Sequence, residues 1–160
     1  MLAFCRRFLP LLVFSLTAAS CSGGWRPSLD PGNAVDSSAT VVVGDVAYAL
    51  KVACYELGED LTAVGVGTDS VTGKALKGWI HGPAGPYVGL IFGDDEYIYE
   101  ADANVPLTIT RDGDGLVSDA VSFVRDIDLG TASGSAVGTG SLQVQCSSKR
   151  AGEPPTRSSR

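Results

Sequence analysis

Between Thr40 and Cys146 no apolar stretch runs long before glycine, proline or aspartate interrupts it, and most stretches alternate apolar with polar residues. A two-residue period puts successive side chains on opposite faces of a strand, and such punctuation at short intervals is that of an all-β chain. Strands are expected over Thr40–Val43, Tyr48–Leu57, Leu61–Thr68, Ala75–His81, Tyr87–Phe92, Glu96–Ala101, Leu107–Arg111, Leu116–Val124 and Gly138–Cys146. Gly58-Glu59-Asp60, Gly93-Asp94-Asp95 and Asp112-Gly113-Asp114-Gly115 are turn sequences that make hairpins of their neighbours. Pro106 belongs at the start or edge of its strand, because it has no N–H for the ladder. Over Ser118–Asp128 both periods have some support: Val117, Val121, Val124 and Asp128 allow a helix, while Val117, Val121, Phe123 and Ile127 fit a strand slightly better. The expected domain, residues 40–148, is a small antiparallel β-sandwich or curved sheet.

The first 20 residues read differently. Arg6 and Arg7 close a short basic start, and Phe8–Ala19 is an uncharged, mainly apolar run of 12 residues. That is too short to span a bilayer, which takes about 20 apolar residues, but suits an export signal. Thr17-Ala18-Ala19-Ser20-Cys21 then sets small residues directly before a cysteine, which resembles a bacterial lipobox with Ala18 where leucine is commonest. On that reading residues 1–20 are a lipoprotein signal peptide, and the Cys21 thiol takes a diacylglycerol and becomes the new N-terminus. The alternative is an ordinary signal peptide with an incidental cysteine. Burying acyl chains contributes about 0.8 kcal/mol per CH₂, so two or three chains anchor the protein at the membrane without spanning it.

Residues 21–39, rich in Ser, Pro, Gly, Asn and Asp, read as a flexible lipidated tether with a reach of roughly 20 to 25 Å. Residues 149–160 reverse the sign of the domain and read as a disordered basic tail. Residues 40–148 carry five basic side chains against fifteen acidic ones, so the lipid and not the fold is expected to make the membrane contact. The same balance argues against nucleic acid as a partner, since phosphate binding is driven by clustered Lys and Arg.

Four cysteines are present. The signal reading removes Cys5 and commits Cys21 to lipid, leaving Cys54 and Cys146. Leu50-x-Val52-x-Cys54 and Leu142-x-Val144-x-Cys146 both place the thiol on the apolar face of a strand, and outside the cytoplasm a disulfide between them would persist. Two buried free thiols are the alternative. Two distant cysteines and a single histidine supply no zinc spacing, and no metal or cofactor is expected.

Catalytic devices find little footing. Asp112-Gly113-Asp114-Gly115 opens like a calcium loop, but Leu116 and Val117 follow and no glutamate closes the pattern. Asp94, Asp95, Glu96, Glu100 and Asp102 read as solvated turn residues, and Gly73-Lys74 lacks the hydroxyl residue of a phosphate loop. His81 would have to serve any Ser-His or Cys-His device, yet no Gly-x-Ser-x-Gly elbow places a serine opposite it. The expectation is a protein that is not an enzyme.

The aromatic hairpin is the remaining candidate. Val88, Leu90 and Phe92 face one way, and Tyr87 and Ile91 the other, so this strand is apolar on both sides. Either it is central to the domain, or the sheet curves around a cavity in which Tyr87, Leu90, Phe92, Tyr97 and Tyr99 hold a hydrophobic ligand such as a lipid tail.

In layout the chain resembles the mycobacterial nineteen-kilodalton lipoprotein antigen (LpqH-like) family. The features that carry the resemblance are the lipobox, a polar tether, a valine-rich first strand, Val52-Ala53-Cys54, Ala63-Val64-Gly65-Val66-Gly67, Arg111-Asp112-Gly113 and Leu142-Gln143-Val144-Gln145-Cys146-Ser147. It runs from the signal to Ser147 and rests on order and spacing more than on a dense motif. It implies an exported, acylated cell-envelope lipoprotein, an antigen or adhesin without catalytic residues, whose lipid engages a host Toll-like receptor. By residue it carries over Cys21 as the lipid site and Cys54 with Cys146 as a disulfide. The chain departs in its less Thr- and Ala-rich tether, in the acidic hairpin at Gly93–Glu96 and in its basic tail, with Ser37, Ser38 and Thr40 as the obvious glycan acceptors. The function expected is a membrane-anchored binding module; the alternative is a carrier of a hydrophobic molecule inside the envelope.

Overall fold

The computed structural model describes residues 36–93, 97–128, 130–131 and 133–154. The signal peptide, Cys21, most of the tether, Asp94–Glu96 and the last six residues lie outside the described residues. Ten strands occur among those described: β1 (Ser37–Val43), β2 (Val46–Leu57), β3 (Asp60–Thr68), β4 (Ala75–Gly82), β5 (Tyr87–Phe92), β6 (Tyr97–Ala101), β7 (Thr110–Asp112), β8 (Gly115–Asp128), β9 (Ser133–Gln145) and β10 (Lys149–Ala151). The fold is all-β, and the 118–128 segment, for which a helix was also open, is strand.

Neighbours in sequence are neighbours in the sheet, in the order β1-β9-β8-β6-β5-β4-β3-β2, and β1 pairs with β2 as well as β9. The sheet therefore closes on itself as an eight-stranded antiparallel up-and-down barrel rather than a sandwich, while the expected all-β fold with one disulfide holds. Alternation alone cannot separate these architectures, because each buries one face of every strand. Closure depends on how sharply the strands coil, and glycines supply that: a Cβ on Gly140 would collide with the Val42 carbonyl of β1.

Eight strands leave an interior just wide enough for side chains to fill or for one small ligand. Here β2 contributes Leu50, Val52 and Cys54, β4 Leu76 and Ile80, β5 Val88, Leu90 and Phe92, β8 Leu116 and Phe123, β9 Leu142 and Val144, and β1 Ala39 and Val41. Small residues sit opposite large ones, since a Cβ on Gly78 would lie 2.7 Å from a Leu50 methyl. Cys54 and Cys146 form the disulfide, joining β2 to the residue after β9 across 92 positions. Closing a loop of that length contributes about 4 to 5 kcal/mol on the chain-entropy estimate.

Two boundaries differ from expectation for one reason. β1 starts at Ser37 and pairs with β2 only as far as Val52, which leaves the Cys54–Glu56 edge open on that side. Lys149–Ala151, expected to be the start of a free tail, fills this gap as β10, parallel to β2, and Gly152 N–H donates to the Glu56 carbonyl at 2.9 Å. Backbone groups left unpaired on a buried edge are costly, so a short strand is recruited to satisfy them. The strand expected over Leu107–Arg111 shortens to Thr110–Asp112, so Pro106 lies in the connection before it. Ile109 from that connection seals the barrel beneath Gly82, where a Cβ would meet its side chain at 2.7 Å.

Because the barrel is a meander, β1, β3, β5 and β8 begin at one rim, and β2, β4, β6 and β9 end there. The described chain enters and leaves at this entry rim. The Gly44-Asp45 turn and the β3–β4 connection mark the far rim.

Candidate functional site

The described residues pack the centre of the barrel closely. Leu61, Ala63, Leu76, Ile80, Val88, Leu90, Phe92 and Leu116 all have 0% accessible surface, so no water-sized probe touches them from outside or from a void. The five residues expected to line a ligand cavity are divided by the wall. Leu90 and Phe92 are inside, and Tyr97 and Tyr99 pack on the same core cluster. Tyr97 stacks on Phe92 at 4.5 Å between ring centroids, Tyr99 lies 4.8 Å away, and Tyr48 meets Phe92 edge-on at 5.2 Å. These rings plug the far rim. Burial first, then the neighbouring Tyr99, Asp69 and Tyr97, push the Tyr48 phenol up to about 12. Tyr87 points outward, so the five do not form one cavity.

At the entry rim the closure is ionic. Arg111 Nη2 donates to Glu56 Oε1 at 2.7 Å, and Lys149 Nζ contacts Asp114 Oδ1 at 2.5 Å and Glu56 Oε1 at 3.5 Å. The Arg111 hydrogen bond holds the Glu56 carboxyl below its ordinary range, Lys149 does the same for Asp114, and Asp114 in turn raises the Lys149 ammonium. The network ties β10 and the β7–β8 turn to β2, which explains why Lys149 is not part of a free tail.

The outer wall of β2–β6 carries the exposed chemistry. Cross-strand pairing aligns Tyr55, Thr62, His81 and Tyr87 in one outward row, and Ala53, Val64, Trp79, Gly89 and Glu100 in the next. Trp79 and Tyr87 meet edge-on at 5.3 Å, and Tyr55, Ala53 and Val64 are buried on the outside of the barrel with Trp79 packed against them. Arg150 from β10 lies over the Tyr55 ring at 5.6 Å, and its Nη1 donates to the Tyr55 hydroxyl at 3.0 Å. Trp79 Nε1 is buried without a hydrogen-bond partner.

His81 sits in this wall with Nδ1 at 2.8 Å from the Thr62 hydroxyl. Among the described residues Thr62 is its one side-chain hydrogen-bond partner, and the Cys54–Cys146 disulfide lies on the inner face. Among the described residues no group of three or more His, Cys, Asp or Glu side chains is placed to hold a metal.

Beside the aromatic wall lies a groove of about 490 Å³, bounded by Pro86, Tyr87, Glu100, Val105, Leu107 and Ile127. Gly89 makes it: the Tyr87 side chain lies across that position, its hydroxyl 2.5 Å from where a Cβ would stand, and donates to Glu100 Oε1 at 2.5 Å. Burial, and then the Glu100 carboxylate, push the Tyr87 phenol far above its ordinary value. Sequence reasoning placed Tyr87 on a two-sided strand but not its outward partners. The signal was present: Trp79 and His81 share a parity in their strand, and the short β5–β6 connection brings Glu100 opposite Gly89.

Comparison with family models, with curated proteins and with solved structures finds no match for this chain.

Proposed function

We propose that this protein is an exported, non-enzymatic lipoprotein, anchored to the extracytoplasmic face of the cell membrane through acylated Cys21, that recognises its partner with the outer wall of its barrel. The observation that carries the reading is the packed interior: Leu90, Phe92 and Ile80 are fully enclosed, which favours binding on the outside, where Trp79 and Tyr87 meet half-buried in the wall. Tryptophan, tyrosine and arginine are the side chains that most often dominate protein recognition surfaces. The order of features in the sequence, a leader, Cys21, a polar tether and then a disulfide-closed domain, supports the anchored arrangement. The tether joins the barrel at the entry rim, leaving the far rim and most of the outer wall facing away from the anchor. Kinship with the mycobacterial nineteen-kilodalton lipoprotein antigens, and with it an antigen or adhesin role and a host receptor reached through the lipid, is part of the same proposal.

Intact mass of the membrane-extracted protein, before and after reduction, tests the reading. Acyl mass on a chain beginning at Cys21, with a gain of about two daltons from one disulfide, is expected. An unprocessed leader or an unmodified Cys21 would overturn it. A carrier, the second reading, would copurify with lipid as a soluble Cys21→Ser variant and release it on denaturation, as mass spectrometry of the extract would show; the enclosed core predicts none.

A further inference from the structure

We infer that the groove between Tyr87, Glu100 and the Ala101–Leu107 connection binds an organic cation, an ammonium group carried on a short apolar body. The inference rests on the outer-wall reading above and names the chemistry that wall recognises. At about 490 Å³ the groove lies within the range of small-ligand sites, and its walls are mostly apolar: Pro86, Val105, Leu107 and Ile127. Val105 is among the few large apolar side chains left exposed in the domain.

What selects the ligand is Glu100. Among the described residues no Lys or Arg pairs with it; its one side-chain partner is the neutral Tyr87 hydroxyl, on Oε1. Asp102, whose Oδ1 accepts from Asn104 N–H at 2.9 Å, adds a second negative charge to the lining. A neutral apolar ligand would strip water from this carboxylate and return nothing, which costs free energy. An anion would meet two like charges. An ammonium offsets the Glu100 charge, gains the Tyr87 ring as a cation–π neighbour and lays its apolar body on the proline and aliphatic walls. The domain's surplus of acidic residues draws such cations toward it.

The test is a titration of the purified full chain in a neutral detergent, read by saturation-transfer NMR, with phenethylammonium, the neutral 3-phenylpropanol and the anionic 3-phenylpropionate as probes. An ion pair and a ring contact together predict roughly tenfold tighter binding of the ammonium than of the alcohol, with the carboxylate weakest. Glu100→Gln keeps an acceptor for Tyr87 and is expected to retain the urea midpoint while abolishing the preference. Equal binding of the three probes, no binding of the ammonium, or an unchanged preference in the Glu100→Gln variant would each overturn the site. Those results leave the acyl mass on Cys21 untouched, so failure of the groove and failure of the lipoprotein reading are separable.

Discussion

The two rims of the barrel solve the same problem with different chemistry. At the far rim Tyr48, Phe92, Tyr97 and Tyr99 close the barrel by ring packing. At the entry rim, where the chain comes in and goes out, closure falls to a disulfide, the Ile109 plug and four charged side chains from three separate segments. Segments at the border of a domain fray unless tied down, and a rim at which the described chain both enters and leaves cannot rely on continuous ladder pairing. Covalent and ionic ties hold it instead. At the far rim the described β1–β2 and β3–β4 connections simply link neighbouring strands, so that rim can close on packing alone. The entry rim should therefore respond to reductant, salt and acid, and the far rim to loss of side-chain volume.

The largest expected effect is at the entry rim. Replacing both Cys54 and Cys146 by serine releases a loop of 92 positions and should lower unfolding free energy in urea by about 4 to 5 kcal/mol. If the double variant loses under 1 kcal/mol on that same scale, the rim does not depend on its covalent tie. Next comes Phe92→Ala at the far rim, which removes a fully enclosed ring. The cost should be about 3 to 4 kcal/mol, in the lower part of the range for a buried phenylalanine, because three tyrosines can relax into the space. A loss well above that would mean the plug is rigid.

Acid should distinguish the rims next. The folded-state carboxyls of Glu56 and Asp114 are lowered, so their contribution is present above the unfolded value near pH 4 and is lost as pH falls through the folded values. The urea midpoint should drop from pH 5 to pH 3, and a Glu56→Gln, Asp114→Asn variant should drop less, as should the wild type in molar salt. For Lys149 the folded value is raised, so that contribution is full below about pH 10.4 and fades as pH rises further. The smallest signal belongs to the far rim. Tyr48 should ionise near pH 12, seen as a phenolate absorbance step that disappears in Tyr48→Phe. Because that value is raised, stability should also decline between about pH 10 and 12. A Tyr48 titration near pH 10 would mean the far rim is open to water.

Particular residues show how far the strands could be read in advance. Tyr87–Phe92 matches β5 at both ends, and the Gly58 and Gly113 turns stand where expected with left-handed backbones, φ 64° and 54°. The two cysteine patterns, alike in spacing, become partners on the inner face. Three features escaped: β10, the barrel closure and the groove. Each depends on an edge whose neighbour is distant in sequence. Lys149 to Ala151 has no strand pattern of its own and becomes a strand because β2 leaves an unsatisfied edge beside it. Glu100, grouped with acidic turn residues by its neighbours in sequence, stands on β6 against Tyr87 because of the hairpin register.

Alternation, turn residues and cysteine spacing by themselves determined that this chain makes short antiparallel strands, which face of each is apolar, and which two thiols share that face. They do so because backbone stereochemistry acts within a few residues, and a two-residue period is legible wherever one side of a strand is buried. Tertiary structure alone decided that β1 meets both β2 and β9, that large side chains fill the space so enclosed, and that Tyr87 and Glu100 look outward into a groove. Closure is a property of accumulated strand coiling and of volumes summed over eight strands, and no local pattern carries that sum.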